Sequence, residues 1–210
     1  MMFTKEKSWV EVSKPESLYK IHEEEINVAI LNREIRHLSD EVHDQLGKNV
    51  QVRVVGNIDS ILETLKEALG ASDESPLLQD IRGLIEVFQE LSGSKEFKIF
   101  LSSVNNDMCR RFHTDINDIR MLCTYDGPGT LWLTEDNVNR DALNSGKDND
   151  LIVINQKKIQ QAKTGSVIIL KGATYPKEGT KAAVHRSPTI EESGRKRLLL
   201  RIDTNGGLNF

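Results

Sequence analysis

The first half of the chain alternates short apolar runs with amphipathic stretches. Two runs, INVAILNR and VQVRVVG, predict strands, and the second strand ends at Gly56. From Ile35 to Leu46 the apolar residues recur every three or four positions, which is the spacing of one helix face. The pattern therefore predicts a strand, a helix and a second strand in succession.

Two further helices are predicted with clear ends. The apolar residues from Ile58 to Leu69 keep the helical spacing and stop at Gly70, a residue typical of helix C-termini. Ser75 followed by Pro76 indicates the start of a third helix, which ends near Gly93.

From Phe97 onward the pattern changes to short strands with little helix. Eight apolar runs separated by turn-type residues predict the strands KIFLSSV, MCRRFHTD, IRMLCTY, TLWLTE, LIVIN, GSVIILKG, AAVHRS and RLLLRID. A helical region followed by this many strands predicts an α+β fold whose strand-rich part is a sandwich or a barrel.

Composition narrows the classes of function. The chain has 210 residues, of which 38% are hydrophobic, and this is enough to bury a substantial core. A net charge of -4 argues against a general binder of polyanions, so we expect no nucleic-acid partner. The N-terminus lacks an apolar run of signal-peptide length, and no run of about eighteen uncharged apolar residues occurs. We therefore expect a cytoplasmic protein without membrane contact.

The run MCRRFHTD carries a histidine and an aspartate two positions apart. Alternate residues of a strand face the same side, so Cys109, Arg111, His113 and Asp115 are predicted to share one face. An imidazole and a carboxylate at this spacing can both reach one metal ion, and His185 in AAVHRSP is the obvious third ligand. Two histidines and one carboxylate, with the opposite positions open, form the facial triad of non-haem iron(II) oxygenases.

The order of the motifs resembles that of the iron(II)/2-oxoglutarate oxygenases, whose core is a double-stranded β-helix. H-x-D is followed by a strand, the glycine turn YDGPGTLWL, the strand GSVIILKG, a histidine and a basic residue heading the last strand. The resemblance implies that residues 97–210 form the double-stranded β-helix and that residues 1–96 form an α/β supporting region packed on it. It also implies that His113, Asp115 and His185 bind Fe(II).

The same resemblance implies a basic residue that binds the far carboxylate of 2-oxoglutarate, about ten positions beyond the second histidine. Arg195 lies ten residues after His185 and Arg197 twelve, so either can hold the co-substrate, and Arg201 shares their strand face. A guanidinium suits this role because its fork matches a carboxylate bidentately and keeps its charge when buried. The alternative is that these arginines are solvent-facing charges at a strand end. Tyr125 can donate its hydroxyl to the same carboxylate or be an ordinary half-buried aromatic residue.

Several longer sequence motifs resemble those of an uncharacterised bacterial family known only as a domain of unknown function. They are CRRFHTD, RMLCTYDGPGTLWLTEDNVNR, LKGATYP, AVHRSP and RLLLRID. The resemblance covers most of the chain from about Ile26 onward. No activity is established for this family, although its genes tend to lie near zinc-responsive genes.

Two alternatives to an oxygenase therefore stay open. His113, Asp115 and His185 can also bind zinc with a water in the fourth position, which predicts a zinc-dependent hydrolase or a zinc-binding protein of metal homeostasis. Four residues of a strand span about 13 Å, so Cys109 reaches this site only through a bend, and its thiol is predicted to be a core group. The second alternative is a non-catalytic binding module. If the protein is an enzyme, we expect its binding partner to be a small-molecule or a protein substrate.

Overall fold

The computed structural model describes residues 7–205, which form two β-sheets with helices on their outer faces. Within this range the strands are β1 (Trp9–Val12), β2 (Val28–Leu31), β3 (Gln51–Gly56), β4 (Phe97–Val104), β5 (Ile119–Asp126), β6 (Leu131–Leu133), β7 (Gln160–Gln161), β8 (Val167–Lys171), β9 (Val184–Arg186) and β10 (Arg197–Thr204). The α-helices are α1 (Ser39–Gly47), α2 (Ile58–Leu69), α3 (Pro76–Ser92), α4 (Arg140–Asn144) and α5 (Asn149–Ile152). Short 3-10 helices occupy Pro15–His22, Arg36–Leu38, Glu135–Asn137, Gln156–Lys158 and Glu191–Ser193.

The larger sheet has seven strands in the order β1-β2-β8-β5-β10-β4-β3. Neighbouring strands are antiparallel, except that β1 runs parallel to β2. The early strands β1, β2 and β3 thus join the same sheet as the later strands, and β10 lies in its interior between β5 and β4. The chain is a mixed α/β protein built on this sheet.

The smaller sheet has the order β7-β6-β9. Trp132 of β6 lies opposite His185 of β9 in the antiparallel register. A single antiparallel bridge joins His185 to His113, so the segment around His113 extends this sheet beyond β9.

The alternation of side chains along β10 separates the two faces of the larger sheet. Leu198 and Leu200 pack in the core beneath α1, α2 and α3, whereas Leu199 belongs to the cluster between the two sheets. Arg197 and Arg201 share the face of Leu199 because successive side chains point to opposite faces. The side chains between the sheets are Val28, Ile30, Phe100, Val104, Leu122, Trp132, Ile168, Leu170, Ala183, Ile190 and Leu199.

The second and third predicted helices are confirmed together with their caps. Asn57 and Ser75 accept hydrogen bonds at the N-termini of α2 and α3 from the backbone N–H groups three residues later. Gly70 and Gly93 end these helices in the left-handed conformation, with φ of 62° and 66°. No helix within residues 7–205 has the length and the apolar character needed to cross a bilayer.

Two of the eight predicted strands are wrong. Only His113 of MCRRFHTD pairs with a strand. The Asn149 side chain takes the place of a partner strand upstream, because it accepts from Phe112 N and donates to Arg110 O, both at 2.8 Å. LIVIN instead contributes to α5, after which Val153 makes a single bridge to Val138. A short apolar run does not distinguish strand from helix by periodicity.

Candidate metal centre

The structure brings His113, Asp115 and His185 together at the rim of the space between the two sheets. One candidate ligand atom from each residue lies within 4.8 Å of the others. His185 Nε2 is 3.2 Å from Asp115 Oδ2, and His113 Nε2 is 3.7 Å from Asp115 Oδ1. Two imidazoles and one carboxylate therefore converge as a facial triad requires.

Backbone hydrogen bonds fix the two histidines relative to each other. His113 N donates to His185 O and His185 N donates to His113 O, each at 3.0 Å. The ring centroids are 4.6 Å apart. The paired backbones thus bring two residues 72 positions apart in sequence onto one face of the smaller sheet.

The segment that carries Asp115 is held by the turn after β8. Ala173 N donates to Asp115 O at 2.8 Å, and Gly172 N donates to Asp118 O at 2.7 Å. A Cβ atom at Gly172 would lie 2.0 Å from Asn117 Oδ1 and 2.1 Å from Asn117 O. Only a glycine at this position permits so close an approach of the two backbones.

The His113 imidazole is oriented for metal binding by its own backbone. Its Nδ1–H donates to Arg111 O at 2.9 Å, which leaves the lone pair of Nε2 directed at Asp115 and His185. Burial and the neighbouring His185 both lower the pKa of His113. The neutral imidazole, which is the form that binds metals, is therefore favoured.

Asp115 is held by an arginine that the sequence did not assign to the site. Arg120 contacts Asp115 Oδ2 at 2.5 Å and binds both oxygens of Asp203, at 2.6 and 3.1 Å. Burial alone would raise the pKa of Asp115, but His185 and Arg120 outweigh burial and hold this pKa well below its usual range. Arg120 and Asp203 could have been recognised from the sequence, because each is a charged residue inside an apolar strand, β5 and β10 respectively.

Arg197 lies on the inner face at the start of β10 and is 1% exposed. Its guanidinium donates to Thr124 Oγ1 at 3.1 Å, its Nε has no hydrogen-bond partner, and no carboxylate of residues 7–205 pairs with it. Burial lowers the pKa of Arg197 to about 10. The turn at Gly127 makes room for it, because a Cβ there would lie 2.8 Å from Arg197 Cβ. A buried cation without a counter-ion is a strong candidate for binding an anion.

The other residues predicted to bind the co-substrate lie elsewhere or have partners. Arg201 shares the inner face with Arg197, but its Nε is 3.1 Å from Asp203 Oδ2. Arg195 is exposed in the loop before β10. Tyr125 faces the helices on the opposite side of the sheet, where its hydroxyl donates to Asp80 Oδ2 at 2.6 Å. Tyr125 therefore lies on the opposite face of the larger sheet from Arg197, and Arg195 lies outside β10.

The predicted burial of Cys109 is wrong. Its segment is not a strand, the residue is exposed, and its thiol is not among the grouped ligand atoms. Cys123 is the buried thiol, and it lies beside the Arg33 guanidinium at 3.3 Å.

Comparison with solved structures finds similar chains at low sequence identity, and the match at a TM-score of 0.50 shows a likeness of fold. The dioxygenase for auxin oxidation 1 of Arabidopsis thaliana, in a binary complex with 2-oxoglutarate, matches with a TM-score of 0.50 and 11% identity, over 96% of this chain and 93% of that chain. A Pseudomonas putida prolyl-4-hydroxylase matches with a TM-score of 0.44 and 10% identity, over 92% and 100% of the two chains. A full-length Neurospora crassa protein in complex with alpha-KG matches with a TM-score of 0.48 and 10% identity, over 94% and 83%.

Sequence comparison places the chain in a family. No curated protein matches it. The family described as a protein of unknown function, DUF1826, matches residues 12–203. Because this match covers nearly the whole chain, the protein belongs to the DUF1826 family.

Proposed function

We propose that this protein is an oxygenase that uses iron(II) and 2-oxoglutarate. The observation that carries the proposal is Arg197, a buried arginine that pairs with no carboxylate of residues 7–205. It lies on the inner face of the larger sheet, which also carries Arg120, the residue that contacts Asp115 of the His113–Asp115–His185 group. A metal site alone fits many activities. A metal site combined with a buried cation fits a co-substrate that chelates the metal at one end and carries a carboxylate at the other.

The strand order supports a double-stranded β-helix as the core. Strands β8, β5, β10 and β4 form one four-stranded layer within the larger sheet, and β7, β6, β9 and the His113 segment form the other. Consecutive strands alternate between the two layers from β4 to β6 and again from β7 to β10. In this arrangement the ligands come from the second position of the core, which the His113 segment occupies, and from the seventh, which is β9, while Arg197 comes from the eighth, which is β10.

The donor set fits iron(II), since two neutral imidazoles and one carboxylate leave half of an octahedral shell open. His113, Asp115 and His185 would hold the metal, with Arg120 fixing the carboxylate that it contacts. When bound, iron(II) with 2-oxoglutarate supplies the oxygen activation needed to oxidise a C–H bond.

Arg197 would bind the distal carboxylate of 2-oxoglutarate through its guanidinium fork. The charges between the sheets favour this assignment, because within residues 7–205 three arginines, Arg120, Arg197 and Arg201, face two carboxylates, Asp115 and Asp203. The dianionic co-substrate would neutralise Arg197 and the metal together. Apolar neighbours such as Leu199 and Val104 would exclude water from the bound carboxylate.

The exposures of the two histidines indicate the side from which a substrate enters. The His185 side chain is 7% exposed, whereas that of His113 is 33% exposed. The substrate would therefore approach the metal from the His113 side, with the co-substrate behind it toward Arg197.

The proposal is tested by metal content and by thermal unfolding of anaerobically purified protein. We expect about one iron per chain, lost in His113→Ala and kept in His43→Ala, which changes an exposed histidine of α1. In the iron-loaded protein, 2-oxoglutarate at about 100 times its Kd adds about 2.7 kcal/mol of stability. This gain should disappear in Arg197→Ala and persist in Arg195→Ala.

Two outcomes would contradict the proposal. Zinc in place of iron, without a response to 2-oxoglutarate, would indicate a zinc-dependent hydrolase or a zinc-binding protein. No bound metal in the unaltered protein would indicate a binding module in which the three residues have an architectural role.

A further inference from the structure

The inner face of the larger sheet extends past the smaller sheet at strand β3. On β3, Val52 and Val54 face the helix-covered core, so Gln51, Arg53 and Val55 face the other side. All three of these residues are exposed, although they share a face with the buried Phe100 of β4. We call Gln51, Arg53 and Val55 the open ledge.

A row of side chains links the open ledge to the metal centre. In the strand register, Arg53 lies opposite Phe100, and Phe100 lies opposite Arg201. The guanidinium carbons of Arg53 and Arg201 are 5.1 and 5.3 Å from the centre of the Phe100 ring. Two residues further along β10, a distance of about 7 Å, Asp203 binds Arg120, which in turn contacts Asp115.

The charges in this row are unbalanced. Arg201 shares Asp203 with Arg120, and Arg53 makes no ion pair with any carboxylate of the described part of the chain. Two cations are thus held near one aromatic ring, and Asp203, the carboxylate of the described residues that pairs with Arg201, is shared with Arg120. An anion bridging Arg53 and Arg201 would relieve their repulsion and accept charge-assisted hydrogen bonds from both.

Two exposed apolar side chains adjoin the groups of this row. Ile116, which directly follows Asp115, is 64% exposed, and Val55 of the open ledge is 44% exposed. Large exposed apolar side chains beside a polar site indicate a ligand with an apolar body.

We propose that the substrate is a small organic anion, whose carboxylate or phosphate binds Arg53 and Arg201 while its apolar carbon skeleton points toward the metal. This inference rests on the proposed function, since it names the substrate class of that site. Arg197 serves the co-substrate and Arg53 serves the substrate, so the two anion sites are separable by mutation.

The test measures binding of matched probes by calorimetry, in the anaerobic, iron-loaded full chain with saturating 2-oxoglutarate and again in the metal-free chain. The probes are phenylacetate, phenyl phosphate and the neutral phenylacetamide. We expect at least one of the two anions to bind, with affinity that falls about tenfold or more in Arg53→Ala, while phenylacetamide binds weakly to both proteins. Gln51→Ala, a neighbouring change on the open ledge, should leave anion binding unchanged. The preferred anion distinguishes a carboxylate from a phosphate substrate.

The outcomes separate this inference from the proposed function. If iron and 2-oxoglutarate bind but neither anion binds, or if Arg53→Ala binds the anions as tightly as the unaltered protein, the substrate inference is wrong and the oxygenase proposal stands. If anion binding depends on Arg53 although 2-oxoglutarate fails to bind, the anion site is supported and the oxygenase proposal is wrong.

Discussion

At the scale of single residues, Asp115 depends on groups that the chain brings from three places. Its carboxylate contacts His185 and Arg120, its backbone carbonyl accepts from Ala173, and Gly172 leaves room for the neighbouring Asn117. The low pKa of Asp115 keeps the carboxylate ionised at neutral pH, which is the form a metal requires. The most sensitive of these supports is the glycine, because an added side chain there would meet backbone atoms and not merely the end of a flexible side chain.

We therefore predict that Gly172→Ala damages the metal centre. The added methyl group meets Asn117 O and Oδ1 well inside contact distance, so the Asp115 segment must shift. We expect a loss of about 1–3 kcal/mol in the free energy of unfolding, measured with urea, together with weaker metal binding.

Gly83→Ala is the matched control for this substitution. Gly83 lies inside α3 with no atom within 4 Å of an added Cβ, so alanine there should be neutral or stabilise by up to about 1 kcal/mol. Unchanged stability and metal affinity in Gly172→Ala would contradict the close approach of the two segments.

At the scale of elements, the helices are specified locally and the site segments are not. Helix α3 buries a continuous apolar stripe and carries its own start signal at Ser75 and stop signal at Gly93. The segment before His113 lacks such signals and takes its conformation from the Asn149 side chain.

We predict that Ser75→Ala destabilises the protein by about 1 kcal/mol. Ser75 Oγ accepts from Leu78 N at 3.1 Å and also donates to Glu41 of α1, so the substitution removes a helix cap and a link between two helices. Chemical denaturation followed by circular dichroism measures the effect.

Thr64→Ala serves as its control, because Thr64 lies on the exposed side of α2 and bonds only to Ser60 O one turn earlier. This change should be neutral or stabilise by up to about 0.7 kcal/mol, since such back-bonding contributes little to helix stability and alanine has the higher helix propensity. Equal stabilities of the Ser75 and Thr64 variants would argue against the capping role.

At the scale of the whole molecule, the larger sheet joins both parts of the chain. Strand β2 pairs with β8 and strand β3 pairs with β4, while α1, α2 and α3 cover the core face of β5 and β10. The strand-rich part thus depends on the first 96 residues for two strand partners and for the cover of an apolar face.

We predict that residues 97–210 do not fold alone. Without the helices, core residues such as Ile99, Met121 and Leu200 would be exposed to water, and β8 and β4 would become open edges. The isolated fragment should lack a cooperative thermal transition, whereas the full chain should show one transition by both near- and far-ultraviolet circular dichroism. A cooperatively folded fragment would instead support an autonomous domain.

The amino-acid sequence by itself determined the helices α2 and α3, most strands and the identity of the three metal-ligand candidates. The helices and strands follow from local periodicity and capping residues, which are properties of neighbouring positions, and the ligand candidates follow from the order of motifs along the chain. Arg197 was predicted only as one of several basic residues, because residue spacing does not reveal which side chain is buried.

Only the tertiary structure decided how the site is supported and which of the candidate arginines is buried without a carboxylate partner among residues 7–205. The Arg120–Asp203 pair and the Arg53–Phe100–Arg201 row join strands that are distant in sequence. The placement of Tyr125 depended on which face of β5 the helices cover, and that of Cys109 on Asn149 replacing a strand partner. Such contacts arise from packing between segments that are distant in sequence. The energies of these contacts cannot be predicted from the local sequence pattern.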